Sequence, residues 1–204
     1  MYVPSAFAIH DPAALCEIAV RHSFALLVSV TGGEPFATHL PLLFDPTAGP
    51  HGTIRGHLAR ANPHAELLAG RQTLAVFSGP HAYVSPTWYQ TENMVPTWNY
   101  VAVHAYGICE RIDDEPELLQ LLADTVATYE SGMPAPWHFD PDSDFVRKLA
   151  LAIVGFRIPI DRIEGKAKLN QNHPPERRER AMHELERSSD PSAREIARLM
   201  GEML

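Results

Sequence analysis

Residues 56–63, GHLARANP, place His57, Arg60 and Asn62 in a short polar turn between a strand end and a helix start. A helix N-terminus presents unpaired N–H groups and the positive end of a dipole. An arginine fork beside it makes phosphate the natural ligand, since hydrogen bonds to charged groups contribute about 1.5–3 kcal/mol each. The same residues also fit an ordinary strand-to-helix connection, with Asn62 as cap and Arg60 in solvent.

A second group follows in GPHAYVSPTWY (79–89). If this stretch is extended, His81, Tyr83 and Ser85 alternate onto one face and line a cavity; otherwise it is a proline-bounded loop whose rings pack inward. In VPTWNY (95–100), Trp98 and Tyr100 share a side and suit either a ring system or a subunit interface, where Trp and Tyr are enriched. GKAKLNQN (165–172) sets Lys166 and Lys168 two apart, followed by amides at Asn170, Gln171 and Asn172 that can read a heterocycle's edge. Its alternative is a solvated linker. Together the four segments describe a pocket wall for a flat, polar, phosphorylated ligand. Other chemistries lack their residues: there is no GxGxxG, Walker A, HExxH or GxSxG, and no histidine spacing suited to a metal.

The elements that must position these groups are legible from periodicity and punctuation. Asp11-Pro12 opens a helix over 13–22, then 24–30 is a strand ended by the hairpin signal Gly32-Gly33. The return strand spans 35–44, with Pro41 marking an edge, a bulge or a barrel corner. Further strands are predicted over 52–58, 73–77, 97–112 and 155–163, and helices from Asn62 to about 69, after Asp113, over 143–153, 175–187 and 191–204. About six strands with single helices between and after them, without β-α-β alternation, give an α+β fold: an antiparallel barrel with peripheral helices.

Composition bounds the partners. The chain has 204 residues and a net charge of −8, so DNA binding requires a local basic patch. Cys16 and Cys109 sit singly in apolar segments and read as thiols of a reducing compartment. The N-terminus lacks the basic and apolar regions of a signal peptide, and no apolar run reaches the roughly 18 residues of a membrane span. The expected location is cytoplasmic.

In this order the segments MYVPSAF (1–7), His39-Leu40-Pro41, GHLARANP, GPHAYVSPTWY, VPTWNY and GKAKLNQN resemble the PaiB family, FMN-binding negative transcriptional regulators. The family is a branch of the split β-barrel flavoproteins related to pyridoxine-phosphate oxidases, typically homodimers with FMN at the subunit interface. The resemblance implies an FMN-binding split-barrel domain over 1–172 and a C-terminal helical extension over 173–204 packed on the barrel. It implies FMN as cofactor, with His57, Arg60 and Asn62 at the phosphate and His81, Tyr83 and Ser85 along the flavin. Trp98, Lys168 and Gln171 are then supplied by the partner copy. Where the oxidases carry Ser-Arg-Lys, this chain has Ala59-Arg60-Ala61-Asn62, and Thr38-His39 replaces an arginine of their second strand.

Two further readings stand beside the FMN-binding homodimer. One is a flavin-dependent oxidoreductase acting on a small molecule, with His39, His81 and His104 as acid–base candidates. The other is a DNA-binding repressor, for which residues 192–200 offer the first half of a helix-turn-helix but no recognition helix after it.

Overall fold

The computed structural model describes residues 1–90 and 92–202, and the chain divides into two compact units. One consists of Met1–Ile18, Phe77–His104 and Glu164–Leu204; the other of Ala19–Val76 and Ala105–Ile163. We refer to them as the first and second unit.

Ten strands and six helices are present among the described residues: β1 Ala8–Ile9, α1 Pro12–Arg21, β2 Phe24–Thr31, β3 Glu34–Pro41, β4 Leu43–Asp45, β5 Thr53–Ala59, α2 His64–Leu67, β6 Gln72–Val84, β7 Thr97–Ile108, β8 Glu110–Ile112, α3 Glu115–Glu130, α4 Asp144–Ala150, β9 Ile153–Pro159, β10 Arg162–Lys168, α5 Pro175–Glu186 and α6 Pro191–Gly201. Every pairing of known register is antiparallel, and the class is α+β as the pattern of elements indicated.

Several strands divide where local periodicity predicted one. The stretch 35–44 breaks after Pro41 into β3 and β4, 97–112 breaks at Cys109 into β7 and β8, and 155–163 becomes parts of β9 and β10. In each case the two pieces belong to different sheets. Side-chain alternation continues through such a corner, so the two-residue period does not reveal where the chain changes sheet. The break at Cys109 is stabilised by its own backbone bonds, its N–H donating to Arg71 and its C=O accepting from Gly70. The opposite correction applies to the predicted strand 73–77, which runs on to Val84 through Gly79-Pro80. Proline is tolerated there because the edge is closed by a side chain rather than by a ladder: the Ser192 hydroxyl accepts from the His81 N–H and donates to its C=O, both at 2.8 Å.

Within the first unit the strands lie in the order β1-β10-β7-β6, and α5 and α6 cover the buried residues Val84, Tyr89 and Val101 with Leu185, Ile196 and Met200. Gly165 is required for close approach, since a Cβ there would enter Leu15 and Ile9. Within the second unit β6-β2-β3 form one set and β4-β5-β9-β8 another, burying Leu27, Leu42, Ile54, Leu121, Phe156 and Ile158. The β2–β3 hairpin turns on Gly32 and Gly33, both at positive φ, as the Gly-Gly signal predicted. Among the described residues no helix is long and apolar enough to cross a membrane.

Candidate functional site

In the second unit the turn after β5 is tied inward. Asn62 accepts from the His64 N–H at 3.0 Å through its side-chain oxygen and donates to the Thr38 hydroxyl at 3.3 Å. His64, wholly buried, places one ring nitrogen 2.9 Å from Thr38 and the other 2.8 Å from Ser29, with Phe36 beside it at 4.9 Å between ring centroids. Two hydroxyls, an imidazole and an amide thus form one connected set joining β2, β3 and α2. Burial holds the His64 imidazole below its ordinary pKa, and it does the same to the half-buried His57 on β5. A neutral His57 retains a single N–H donor.

Arg60 lies at the surface and donates from Nε to the Leu151 carbonyl at 2.8 Å and from Nη2 to the Ile153 carbonyl at 2.9 Å. Leu151 is the C-cap of α4, so the guanidinium complements the negative end of that helix. Both acceptors are neutral, so they orient the fork without cancelling its charge.

In the first unit the strand period brings His81 and Tyr83 of β6 beside Trp98 of β7. The Trp98 ring centroid is 5.5 Å from His81 and 6.1 Å from Tyr83, the latter pair edge to face at 73°. Tyr83 is 47% and Trp98 51% exposed, an unusual state for such large rings and the one that leaves their faces available. They line a cavity of about 540 Å³, within the usual 300–1,000 Å³ range of small-molecule pockets. Trp88 and residues of the α5–α6 corner complete it.

The other predicted positions of this unit have local partners. Ser85 caps the short 3-10 turn Pro86–Tyr89, accepting from Thr87 N–H at 3.3 Å. Lys168 donates to the Thr97 hydroxyl, and burial together with the charge of Lys166 lowers its pKa. The Gln171 amide accepts from Leu169 N–H at 2.6 Å and donates to the Ala167 carbonyl at 2.5 Å. Lys166 is buried, donates to the Tyr2 carbonyl at 3.1 Å and lies 5.0 Å from the Tyr100 ring.

Sequence reasoning missed two things here. Tyr89 is fully buried; its hydroxyl accepts from the Asn170 amide at 3.0 Å and its carbonyl accepts from Arg180 at 2.9 Å. Part of GPHAYVSPTWY and part of GKAKLNQN therefore serve to hold each other. Asn170 sits at φ 63°, a backbone state that Asn tolerates better than most residues. The second omission is the α5–α6 corner as a cavity wall. No local signal marks either one, because both depend on partners far along the chain.

Both thiols are held toward the protonated form, which is the less reactive one. Burial, with the Glu110 charge, raises the Cys109 pKa to about 12, and burial raises that of Cys16. Among the described residues no group of three or more His, Cys, Asp or Glu side chains could hold a metal ion.

Comparison with known proteins fits this geometry. Solved structures similar to this chain include the FAD and heme binding protein of Mycobacterium smegmatis, with a TM-score of 0.60 and 17% identity over 79% of this chain and 73% of that one. The flavocytochrome Anf3 of Azotobacter vinelandii gives a TM-score of 0.58 and 19% identity over 79% and 69% respectively. At such identities the likeness defines the fold, the split barrel of flavin-binding proteins. The family described as "Putative FMN-binding domain" matches residues 1–162, and the chain belongs to it. It is also 35% identical over 206 aligned positions to Protease synthase and sporulation protein PAI 2 of Bacillus subtilis (strain 168), covering 100% of this chain and 98% of that relative. It is a flavin-binding protein of the PaiB type, and FMN is the cofactor its domain implies.

Proposed function

We propose that this chain acts as a cytoplasmic, FMN-binding homodimer whose flavin rests where two copies meet, and that it is a negative transcriptional regulator. The observation that carries the flavin part is the exposed ring group of the first unit. Half-open Tyr83 and Trp98, with the His81 imidazole beside Trp98, give a tricyclic ring stacking faces and polar edges beside a cavity of adequate size. Bound FMN supplies redox chemistry, while the protein orients and shields it.

Roles are assigned separately in the two units. His81, Tyr83 and Ser85 line the ring and ribityl chain together with Trp98, which stands beside His81 and Tyr83 in the same copy rather than coming from the partner, and Lys168 and Gln171 act from the partner copy. In the second unit Arg60, held by two carbonyls yet uncancelled in charge, takes the phosphate with help from His57, while Asn62, expected at the phosphate, has its side chain engaged by Thr38 and His64 and shapes the turn instead. Exposed Trp and Tyr also suit a subunit interface. Against direct reading of DNA by residues 192–200, the apolar face of α6 is buried: Ala193, Ile196, Ala197 and Met200 lie in the core of the first unit. On its other face Arg198 is paired with Glu195 and Glu202.

The test is spectroscopic. The purified protein, or the protein after adding FMN, should absorb near 450 nm and behave in solution as a dimer of its 22.7 kDa chain. Arg60→Ala should weaken FMN roughly ten- to a hundredfold, the value of one charge-assisted contact. Trp98→Ala should weaken it about tenfold. A colourless protein that takes up no FMN defeats the reading, and a monomer defeats its dimeric part. Absence of any promoter-fragment shift even at low salt, where nonspecific contacts are strongest, is the result expected for the isolated protein.

The oxidoreductase alternative gains from one observation: the ring group faces a cavity that also has room for a small molecule.

A further inference from the structure

The C-terminal helices lie outside the residues matched by the FMN-binding family, yet their junction walls the ring cavity. Glu184, Leu185, Arg187 and Ser188 come from the end of α5 and the turn after it, and Asp190 and Ala193 from the start of α6. This wall is fixed. Leu185 and Ala193 are buried in the core, and Ser192 clamps both backbone groups of His81. Within the turn, Arg194 donates to the Ser188 carbonyl at 2.8 Å and the Asp190 N–H to the Ser188 hydroxyl at 3.1 Å. One Asp190 oxygen caps α6 by accepting from Ser192 N–H at 2.9 Å.

We propose that this corner makes the cavity selective for organic cations, so that the compound meeting the flavin is a protonated amine or a quaternary ammonium. Two carboxylates, Glu184 and Asp190, stand against one guanidinium, Arg187, which leaves the lining at a net −1. Arg187 itself is only loosely engaged, 3.8 Å from Glu184. Opposite lie the rings of Tyr83, Trp98 and Trp88, whose faces carry the negative part of the aromatic quadrupole and attract cations, Trp most strongly. Both walls therefore favour the same sign of charge. An anion gains from Arg187 alone and meets two carboxylates and the same ring faces, which oppose it.

The inference rests on the flavin reading only in naming what the cation meets; the cavity's charge preference is independent of it. The experiment separates the two. Quenching of tryptophan fluorescence is titrated with benzylamine, benzyl alcohol and benzoate, which share a ring and differ in charge, in FMN-free and FMN-loaded protein. Benzylamine is expected to bind at least tenfold tighter than the other two. Glu184→Gln combined with Asp190→Asn leaves Arg187 alone and turns the lining to +1, so benzoate should then overtake benzylamine in the FMN-free protein. Asn at 190 keeps the helix cap, and circular dichroism confirms folding. Equal affinities for the three probes, or an order that the double variant does not invert, overturn the proposal. Failure to bind FMN while benzylamine is still preferred removes the flavin reading and leaves the cation pocket standing.

Discussion

The turn after β5 in the second unit and the ring group of β6 and β7 in the first both carry residue types suited to a ligand, polar groups in the one and aromatic rings with an imidazole in the other. They differ in how far those residues are already engaged. Around His64 the donors and acceptors answer one another: Ser29, Thr38 and Asn62 are joined through a buried imidazole. At Tyr83 and Trp98 the rings touch only at their edges and remain half open to water. A satisfied, buried set rigidifies the fold and has little left for a ligand. Exposed rings on fixed strands are the reverse: they stabilise the fold little, and burial of their faces becomes available when something binds.

Tyr89 offers the sharpest way to break this comparison, because it belongs to the same motif as Tyr83 but lies on the engaged side. Tyr89→Ala should cost about 3–5 kcal/mol of stability, as for other large buried rings, and urea unfolding will measure it. A loss below about 1 kcal/mol would place Tyr89 with the available residues instead. Next in size, His64→Ala leaves the Ser29 and Thr38 hydroxyls without their ring partner and should cost about 1–3 kcal/mol. FMN affinity should stay near wild type unless the turn itself collapses, which comparison of the two measurements detects.

Acid supplies a third, graded test. Burial depresses the folded pKa of His57, His64 and His173, with Arg177 and Lys168 adding to the effect at His173. The unfolded chain therefore takes up these protons first. Stability is undiminished above about pH 6.5, the ordinary histidine value, and falls as pH drops through the depressed folded values. The urea midpoint should decline from pH 7 toward pH 5, and His64→Gln should flatten that decline. A midpoint that rises over this interval would contradict the buried, neutral state of these rings. The smallest stability effect belongs to Trp98→Ala, within about 0.5 kcal/mol as for exposed sites, although ligand binding should fall about tenfold. A variant that is strongly destabilised while its ligand affinity is unchanged would show that Trp98 is scaffold after all.

Much of the fold was legible because its signals are local. Asp11 caps α1 through Ala13 N–H, as the Asp-Pro pair indicated. Gly32-Gly33 makes the first hairpin, and Asp114 caps α3. His81 and Tyr83 do share the exposed face of β6, but the alternation changes phase across residues 78–80, from burial at 73, 75 and 77 to burial at 82 and 84, and Ser85 falls beyond the strand. The sheet changes near Pro41, at Cys109 and between β9 and β10 were not visible, apart from the hint that Pro41 gives, because alternation is blind to which neighbour a strand acquires. At the candidate site, residue types indicated a ring-and-phosphate ligand, but not that Asn170 would be held by Tyr89 or that Asn62 would be tied to Thr38.

Sequence alone determined the family, the ordering of motifs along the chain, the negative charge and the capped ends of helices, since each depends on residue identity or on neighbours a few positions away. Only the tertiary structure decided which polar groups are engaged and which rings stay open. Those outcomes depend on pairs such as Tyr89 with Asn170, 81 positions apart, and His81 with Ser192, 111 apart. The physical reason is that a side chain's availability is set by whatever packs against it, and that partner is chosen by the fold rather than by adjacency in the chain.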